Sequence, residues 1–322
     1  MNHILKEDLP ITQDIKDISG LEDNANVALI ATVSKSTVQP KKSVGEFYLS
    51  VALMDKTGTV DMPIWDNAEE MAKEIPVGSI IFVRANKKSY EERVQLTKPT
   101  ILICEGFEAS DFMPKYNIQV ADLAKELISY ATKITDQRYI TFLQKLLGIK
   151  ISSDFEVLNE KKWTAFSNCP AAAKHHGNKI HGLLLHTIGV LRTIDASVNL
   201  HNDFEDIDTE EAIDKNMLYF LAIIHDYCKL FEYNFSTTIS AKENLYVSHD
   251  VLLIGELQHL NRSNSNLFST EEMSKMFFII LTHHGEYGRY KPTEKDKFPV
   301  EAKLLHCADM IDSQIVGEVE KN

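Results

Sequence analysis

Eleven of the 12 histidines lie beyond residue 174, and several stand next to carboxylates in strongly apolar surroundings. In Leu221-Ala-Ile-Ile-His225-Asp226 an imidazole and a carboxylate close an apolar helix. A charged aspartate is costly there unless it is paired or bound to a cation. A divalent cation removes that cost, because Mn2+, Fe2+, Co2+ and Zn2+ all accept mixed imidazole and carboxylate shells. Two further donors occupy similar settings, His186 in Leu183-Leu-Leu-His-Thr-Ile and Asp309 in Ala302-Lys-Leu-Leu-His-Cys-Ala-Asp. His186, His225, Asp226 and Asp309 thus form an ordered candidate ligand set. Lys229 follows His225 by four residues, so on a continuing helix it shares that face and can reach a phosphate oxygen.

Helices must carry these donors, and helical periodicity takes over after Pro114. Val120, Leu123, Ala124, Leu127 and Ile128 recur at three- and four-residue spacing, as do Ile140, Leu143, Leu146 and Leu147. Further helices are expected over Lys161–Ala173, Leu183–Asn199, Asp214–Asp226, His249–Leu260, Glu271–His283 and Val300–Ile311, with loops over His201–Glu211 and Gly285–Pro299. Between Asn26 and Ile103 the texture differs. Five β-rich runs, Val27–Val33, Glu46–Leu53, Val60–Trp65, Ile80–Ala85 and Val94–Thr97, alternate with turn signals, among them the polar stretch Asn86–Arg93. One short helix, Asn67–Glu74, falls between the third and fourth strands. That is the layout of an OB barrel, and a generic barrel with a helical insert reads the same way.

At 322 residues the chain exceeds the size at which one core stops growing, so two domains are expected. The expected class is multidomain α+β: an OB-like five-stranded barrel for nucleic-acid binding over residues 1–104, a linker over 105–117, and an all-helical domain over 118–322. With 44% hydrophobic and 25% charged residues, collagen-like and disordered readings are excluded. The net charge of -13 argues against coating nucleic acid by bulk electrostatics. Residues 1–100, with 15 acidic and 12 basic side chains, are nearly neutral. Apolar runs such as Phe277–Leu281 are too short to cross a bilayer, and residues 1–10 lack an apolar signal core, so a cytoplasmic protein with no membrane partner is expected. Four scattered cysteines form no CxxC pair and read as reduced thiols. No nucleophile elbow, P-loop or dinucleotide glycine fingerprint is present.

The ordered His186, His225-Asp226 and Asp309 resemble the HD-domain metal-dependent phosphohydrolase pattern. That resemblance implies a second cation, with His249 and one of His283 and His284 completing its shell and Asp226 bridging the two. Such proteins usually carry His-Asp-x-Gly-Lys, and here Cys228 stands in place of the glycine, which puts packing of that turn in question. Ala171-Ala-Ala-Lys-His-His176 before Gly182-Leu-Leu-Leu-His186, and His283-His284-Gly-Glu-Tyr-Gly288 before Glu301-Ala-Lys-Leu-Leu-His306-Cys-Ala-Asp309, extend the match. Together with an OB-like N-terminal part, they are similar over nearly the whole chain to the YhaM-type 3'-5' exoribonuclease family.

The similarity implies hydrolysis of single-stranded RNA or DNA to 5'-mononucleotides, with Asp226, Lys229, His175 and His176 as catalytic or phosphate-contacting residues. His175 and His176 are placed at the mouth of the site by similarity alone. Two divalent ions are expected, Mn2+ first, with Co2+, Fe2+, Mg2+ or Zn2+ as alternatives. The metal ligands are His186, His225, Asp226, His249, His283, His284 and Asp309. On the barrel, single strands stack on aromatics beside a few cations, and Phe47, Tyr48, Arg84, Lys87 and Lys88 are the named contacts, with Lys41, Lys42, Tyr90 and Arg93 as further candidates. Phe47 and Tyr48 face opposite sides of their strand, so one is assigned to the barrel core, and Trp65 is assigned there too. Homo-oligomer formation is left open. Rival readings are a phosphohydrolase of free or cyclic nucleotides and a nucleic-acid-binding module with a structural metal.

Overall fold

The computed structural model describes residues 2–41, 43, 45–90, 93–107, 109–172, 177–202, 213–235, 239–242, 245–288, 290 and 298–319. Its residues cluster into two compact units, Met1–Lys115 with Asn234–Ile239, and Tyr116–Tyr233 with Ser240–Asn322.

The first unit is a closed five-stranded barrel built from β2 (Asn26–Pro40), β3 (Phe47–Asp55), β4 (Gly58–Ile64), β5 (Ile80–Tyr90) and β6 (Arg93–Glu105). Strand β2 pairs antiparallel with both β3 and β5, β3 with β4, and β5 with β6, while a short parallel contact at Asp61 and Gln95 joins β4 to β6 and closes the ring. A further strand, β1 (His3–Leu5), lies parallel along β6. Period-two alternation fills the interior: Val27, Leu29, Ala31 and Val33 from β2, Leu49, Val51 and Leu53 from β3, Val60, Met62 and Ile64 from β4, and Ile81, Val83 and Ala85 from β5. Register shifts at Val33/Lys35 and Arg84/Asn86 mark bulges, which let strands bend around a small barrel. Helix α1 (Ile15–Ile18) is tied to the β3–β4 turn by Asp55, whose Oδ2 accepts from the Ile15 N–H at 2.7 Å while Oδ1 accepts from Thr57 and Gly58. Helix α2 (Ala68–Glu74) lies between β4 and β5. This is an OB-like barrel with its helix in the expected interval.

The strands are longer than expected. The polar run after Ala85 continues the ladder, pairing Lys87 with Leu96, Lys88 with Gln95 and Tyr90 with Arg93, so it is strand and not a connection. Cross-strand pairing sustains a hairpin whose outer half has little apolar face to bury.

The second unit is helical: α3 (Val120–Ala131), α4 (Gln137–Leu147), α5 (Glu160–Asn168), α6 (Gly182–Asn202), α7 (Lys215–Ile224), α8 (Lys229–Glu232), α9 (His249–Ser263), α10 (Thr270–Thr282) and α11 (Val300–Val319). Helix α6 packs against α3, α5, α7 and α11. Every residue of α7 from Met217 to Ile224 is buried, as an all-apolar helix requires. Its start is fixed by Asp214, which accepts from Met217 N–H at 3.0 Å, and α10 opens with a capping box between Ser269 and Glu272. Helix α5 stops at Asn168, short of the expected Ala173, because Pro170 disfavours helical geometry before it and offers no N–H. Among the described residues no helix is long and apolar enough to cross a membrane. The four cysteines are free, three buried and Cys307 exposed.

Candidate metal centre

Five helices bring the donors together. His186 lies in the second turn of α6, His225 caps the C-terminus of α7 with Asp226 next, His249 opens α9, His283 caps α10 with His284 next, and Asp309 lies within α11. Two groups result, each with donor atoms within 4.8 Å of one another: His186, His225 and Asp309, and Asp226, His249, His283 and His284. In the first, the Nε2 atoms of His186 and His225 face each other at 3.3 Å, and Asp309 Oδ1 lies 3.3 Å from His186 Nε2. In the second, the Nε2 atoms of His249 and His284 are 3.3 Å apart.

Asp226 joins the groups. Its Oδ2 is 3.4 Å from His186 Nε2 and 3.6 Å from His225 Nε2, whereas Oδ1 is 3.2 Å from His249 Nε2 and 3.8 Å from His283 Nε2. Lys229 Nζ pairs closely with Oδ2 at 2.6 Å, whereas Oδ1, His283 Nε2 and His249 Nδ1 have no hydrogen-bond partner among the described residues. Buried polar atoms are ordinarily satisfied. Orphaned carboxylate and imidazole donors converging on common points have the chemistry of a divalent cation shell, so each group could hold a cation.

The outward nitrogens explain why the inward ones face the centre. His225 Nδ1 bonds the Ala222 carbonyl and His283 Nδ1 the Ile280 carbonyl, each using an acceptor left free at its helix end. His186 Nδ1 bonds Asp312 Oδ2 at 2.7 Å, and His249 Nδ1 lies 3.1 Å from Glu232 Oε2, whose Oε1 accepts from the His249 backbone N–H. Asp312 and Glu232 escaped the sequence reading. The readable signals are spacings of three residues, from Asp309 to Asp312 on one helical face and from Lys229 to Glu232.

Charges at the centre compensate one another without a cation. Burial opposes ionisation of Asp226, but Lys229, His225, His186 and His249 outweigh it and hold the carboxyl well below its usual range. Burial likewise resists charge on His186, yet the carboxylates of Asp226, Asp309 and Asp312 hold it protonated well above the ordinary histidine value. His249 rises to about 9 through Asp226 and Glu232 despite burial, whereas burial drives His225 down to about 3. Burial, then His283, lowers His284. Lys229 is held charged above the usual lysine range because Asp226 more than offsets its burial.

Several expectations change. Lys229 does not continue α7: Asp226, Tyr227 and Cys228 form a turn, and Lys229 begins α8, where its ammonium reaches Asp226. Cys228 takes φ -76° and ψ 2°, open to any residue, and is fully buried, so the turn does not require glycine. His175, His176 and Lys42 lie outside the described residues. His181, not expected as a ligand, turns its Nδ1 to the Ser167 carbonyl at 2.7 Å.

On the barrel, Lys87 is 6% exposed; its ammonium donates to the Leu21 carbonyl at 2.8 Å and lies 3.1 Å from Asp23. It shares the inward phase of Ile81, Val83 and Ala85, so it is a structural cation and not a surface phosphate contact. Arg84 and Lys88 are exposed on the outward phase, and Arg93 and Tyr90 are exposed beyond them. Trp65 is 54% exposed and stacks on Tyr48 at 4.9 Å, while Phe47 is 47% exposed, so none of the three is core. They stand at the ends of β3 and β4, past Leu49 and Ile64, the last inward-packed pair.

No family profile matches the chain. Among solved structures, an aspartyl tRNA synthetase from Entamoeba histolytica is similar at 14% identity, over 63% of this chain and 40% of that one, with a TM-score of 0.28. The chain therefore spans well under half the length of that protein, and at this TM-score the likeness carries no argument about either unit.

Proposed function

We propose that this protein is a divalent-cation-dependent 3'-5' exonuclease that hydrolyses single-stranded RNA, with DNA as the alternative strand, to 5'-mononucleotides. The observation that carries the reading is Asp226, a buried carboxylate whose Oδ2 faces one donor group beside Lys229 and whose Oδ1, without a hydrogen-bond partner, faces the other. That arrangement supports the HD-type reading, in which Asp226 with the two donor groups would hold two ions. When bound, two divalent cations lower the pKa of an attacking water and neutralise phosphate charge.

The chain's own residues do the rest. Four carboxylates, Asp226, Asp309, Asp312 and Glu232, outnumber the Lys229 ammonium and the raised imidazoles of His186 and His249, so the centre keeps a small excess of negative charge that favours cations. Once its Asp226 contact is shared, Lys229 is the side chain with charge to offer a phosphate oxygen. Most of the donors are buried, which excludes bulk water and strengthens every charge interaction among them. His175 and His176 belong to this proposal as phosphate contacts through the family resemblance. The Tyr48–Trp65 stack with Phe47, Arg84 and Lys88 is the proposed surface for unpaired bases and their backbone.

The test is a 5'-labelled oligonucleotide incubated with the full chain and Mn2+, with a 3'-phosphorylated copy, a circular strand and a nucleoside triphosphate in parallel. A descending ladder that a 3'-phosphate slows, with the circle intact, supports the reading. Cleavage of the circle, or turnover of the nucleotide alone, rejects it.

A further inference from the structure

The two donor groups are supported in related ways. Each contains one imidazole braced by a carbonyl of its own helix, His225 on Ala222 and His283 on Ile280, and one facing a carboxylate: His186 Nδ1 bonds Asp312 at 2.7 Å, while His249 Nδ1 lies 3.1 Å from Glu232 Oε2 and the His249 backbone N–H donates to Oε1. An imidazole whose far nitrogen faces a carboxylate is fixed in one tautomer and is a more basic ligand than one facing a carbonyl. Each group therefore has one member, His186 or His249, whose far nitrogen faces a carboxylate outside the seven candidate ligands; His284 faces Asp309, itself one of the seven, at 3.4 Å.

The approach of Asp312 depends on another residue. Gly189 follows His186 by three residues in the interior of α6, where glycine weakens a helix. A Cβ added at Gly189 would fall 1.7 Å from Asp312 Oδ1 and 2.5 Å from its Cγ. Those atoms are the end of a side chain, so alanine at this position displaces Asp312 from His186 without forcing the backbones of α6 and α11 apart. A glycine that ordinary helix propensity disfavours is thus explained by the space the carboxylate needs.

Building on the proposed metal centre, we infer that Asp312 and Glu232 are its two positioning carboxylates, each governing one cation position, and that Gly189 is the clearance through which Asp312 reaches His186. Neither carboxylate needs to touch the cation. Asp312 acts through His186 on the group with His225 and Asp309, and Glu232 acts through His249 on the group with His283 and His284.

The experiment titrates chelator-stripped full chain with Mn2+ alone, counting bound ions by electron paramagnetic resonance and reading affinities by calorimetry. Asp312→Asn is expected to weaken one of the two positions by about 10- to 100-fold and leave the other near the parent value, with Glu232→Gln doing the converse. Gly189→Ala, which removes no charge and substitutes a better helix former, is expected to reproduce the Asp312→Asn binding curve while the metal-free protein keeps its far-ultraviolet circular dichroism. In a His249→Ala background, the surviving ion is expected to respond to Asp312→Asn and not to Glu232→Gln. Equal weakening of both positions by either carboxylate variant, or parent-like binding by Gly189→Ala, would overturn the inference. A parent chain that binds no Mn2+ would instead overturn the metal reading on which it rests.

Discussion

Replacing Asp226 with alanine tests the centre through stability as well as chemistry. In the metal-free chain the carboxylate lies 2.6 Å from the Lys229 ammonium, among His186, His225 and His249. Deleting one partner of a buried ion pair costs about 3–5 kcal/mol. Lys229 keeps 13% of its side chain exposed, which favours the lower end. A unit of about 200 residues shifts its midpoint by about 2–4 °C per kcal/mol, so the metal-free variant is expected to melt roughly 6–20 °C below the parent. Cations act in the other direction. On the proposed two-cation reading, filling both positions at one hundred times their dissociation constants adds about 2.7 kcal/mol each, hence roughly 11–22 °C in the parent. The variant lacks the oxygen that each donor group shares and is expected to gain almost none of this. Scanning calorimetry with chelator and with Mn2+ measures all four midpoints. The reasoning is refuted if the variant's Mn2+-induced shift equals the parent's, or if its metal-free midpoint is unchanged.

Lys229→Met is expected to retain bound Mn2+ while turnover of a labelled oligonucleotide falls about 100-fold, since its role is toward phosphate; loss of the metal would move Lys229 into the binding shell. Trp65→Ala is expected to weaken single-strand binding by about 1–3 kcal/mol with an unaltered melting curve, whereas Lys87→Met is expected to lower barrel stability and leave strand affinity alone; filter binding and thermal melts separate the two. Hydrogen bonding to Arg138 lowers the pKa of Asp136, and the Ser269 backbone N–H together with Arg138 lowers that of Glu272. A carboxylate with a depressed folded-state pKa contributes stability that is present above its unfolded value, near 4, and is lost as pH falls through the folded value. Glu272→Gln is therefore expected to flatten the loss of stability between about pH 5 and pH 3, seen in melts across that range.

Much of this was legible because burial and period act on single residues. The alternation that seats Leu29, Leu49 and Ile81 inside the barrel is plain in the sequence. So was the inward phase of Lys87, two residues after Ala85, although its charge argued the other way; only the positions of Asp23 and the Leu21 carbonyl reveal why a cation is tolerated there. The exposure of Trp65 was not legible, since nothing local marks where the barrel's inner layer ends. For the centre, the apolar contexts of His186, His225, Asp226 and Asp309 singled out four donors. Glu232 was hidden because its partner His249 lies 17 residues away, across a loop whose path no period encodes.

The ligands' spread along the chain has a consequence for synthesis. His186 leaves the ribosome 123 residues before Asp309, an interval of about 6–25 s at 5–20 residues per second. Over the last 83 residues of that interval, from Asp226 to Asp309, His225 and Asp226 exist without the last donor, so a growing chain lacks the finished geometry of the centre. In the completed fold without a cation, the carboxylates around His186 and His249 favour protons on both. On the proposed metal reading, loading would exchange those protons for cations in a completed fold, so metal uptake would release protons and would follow translation.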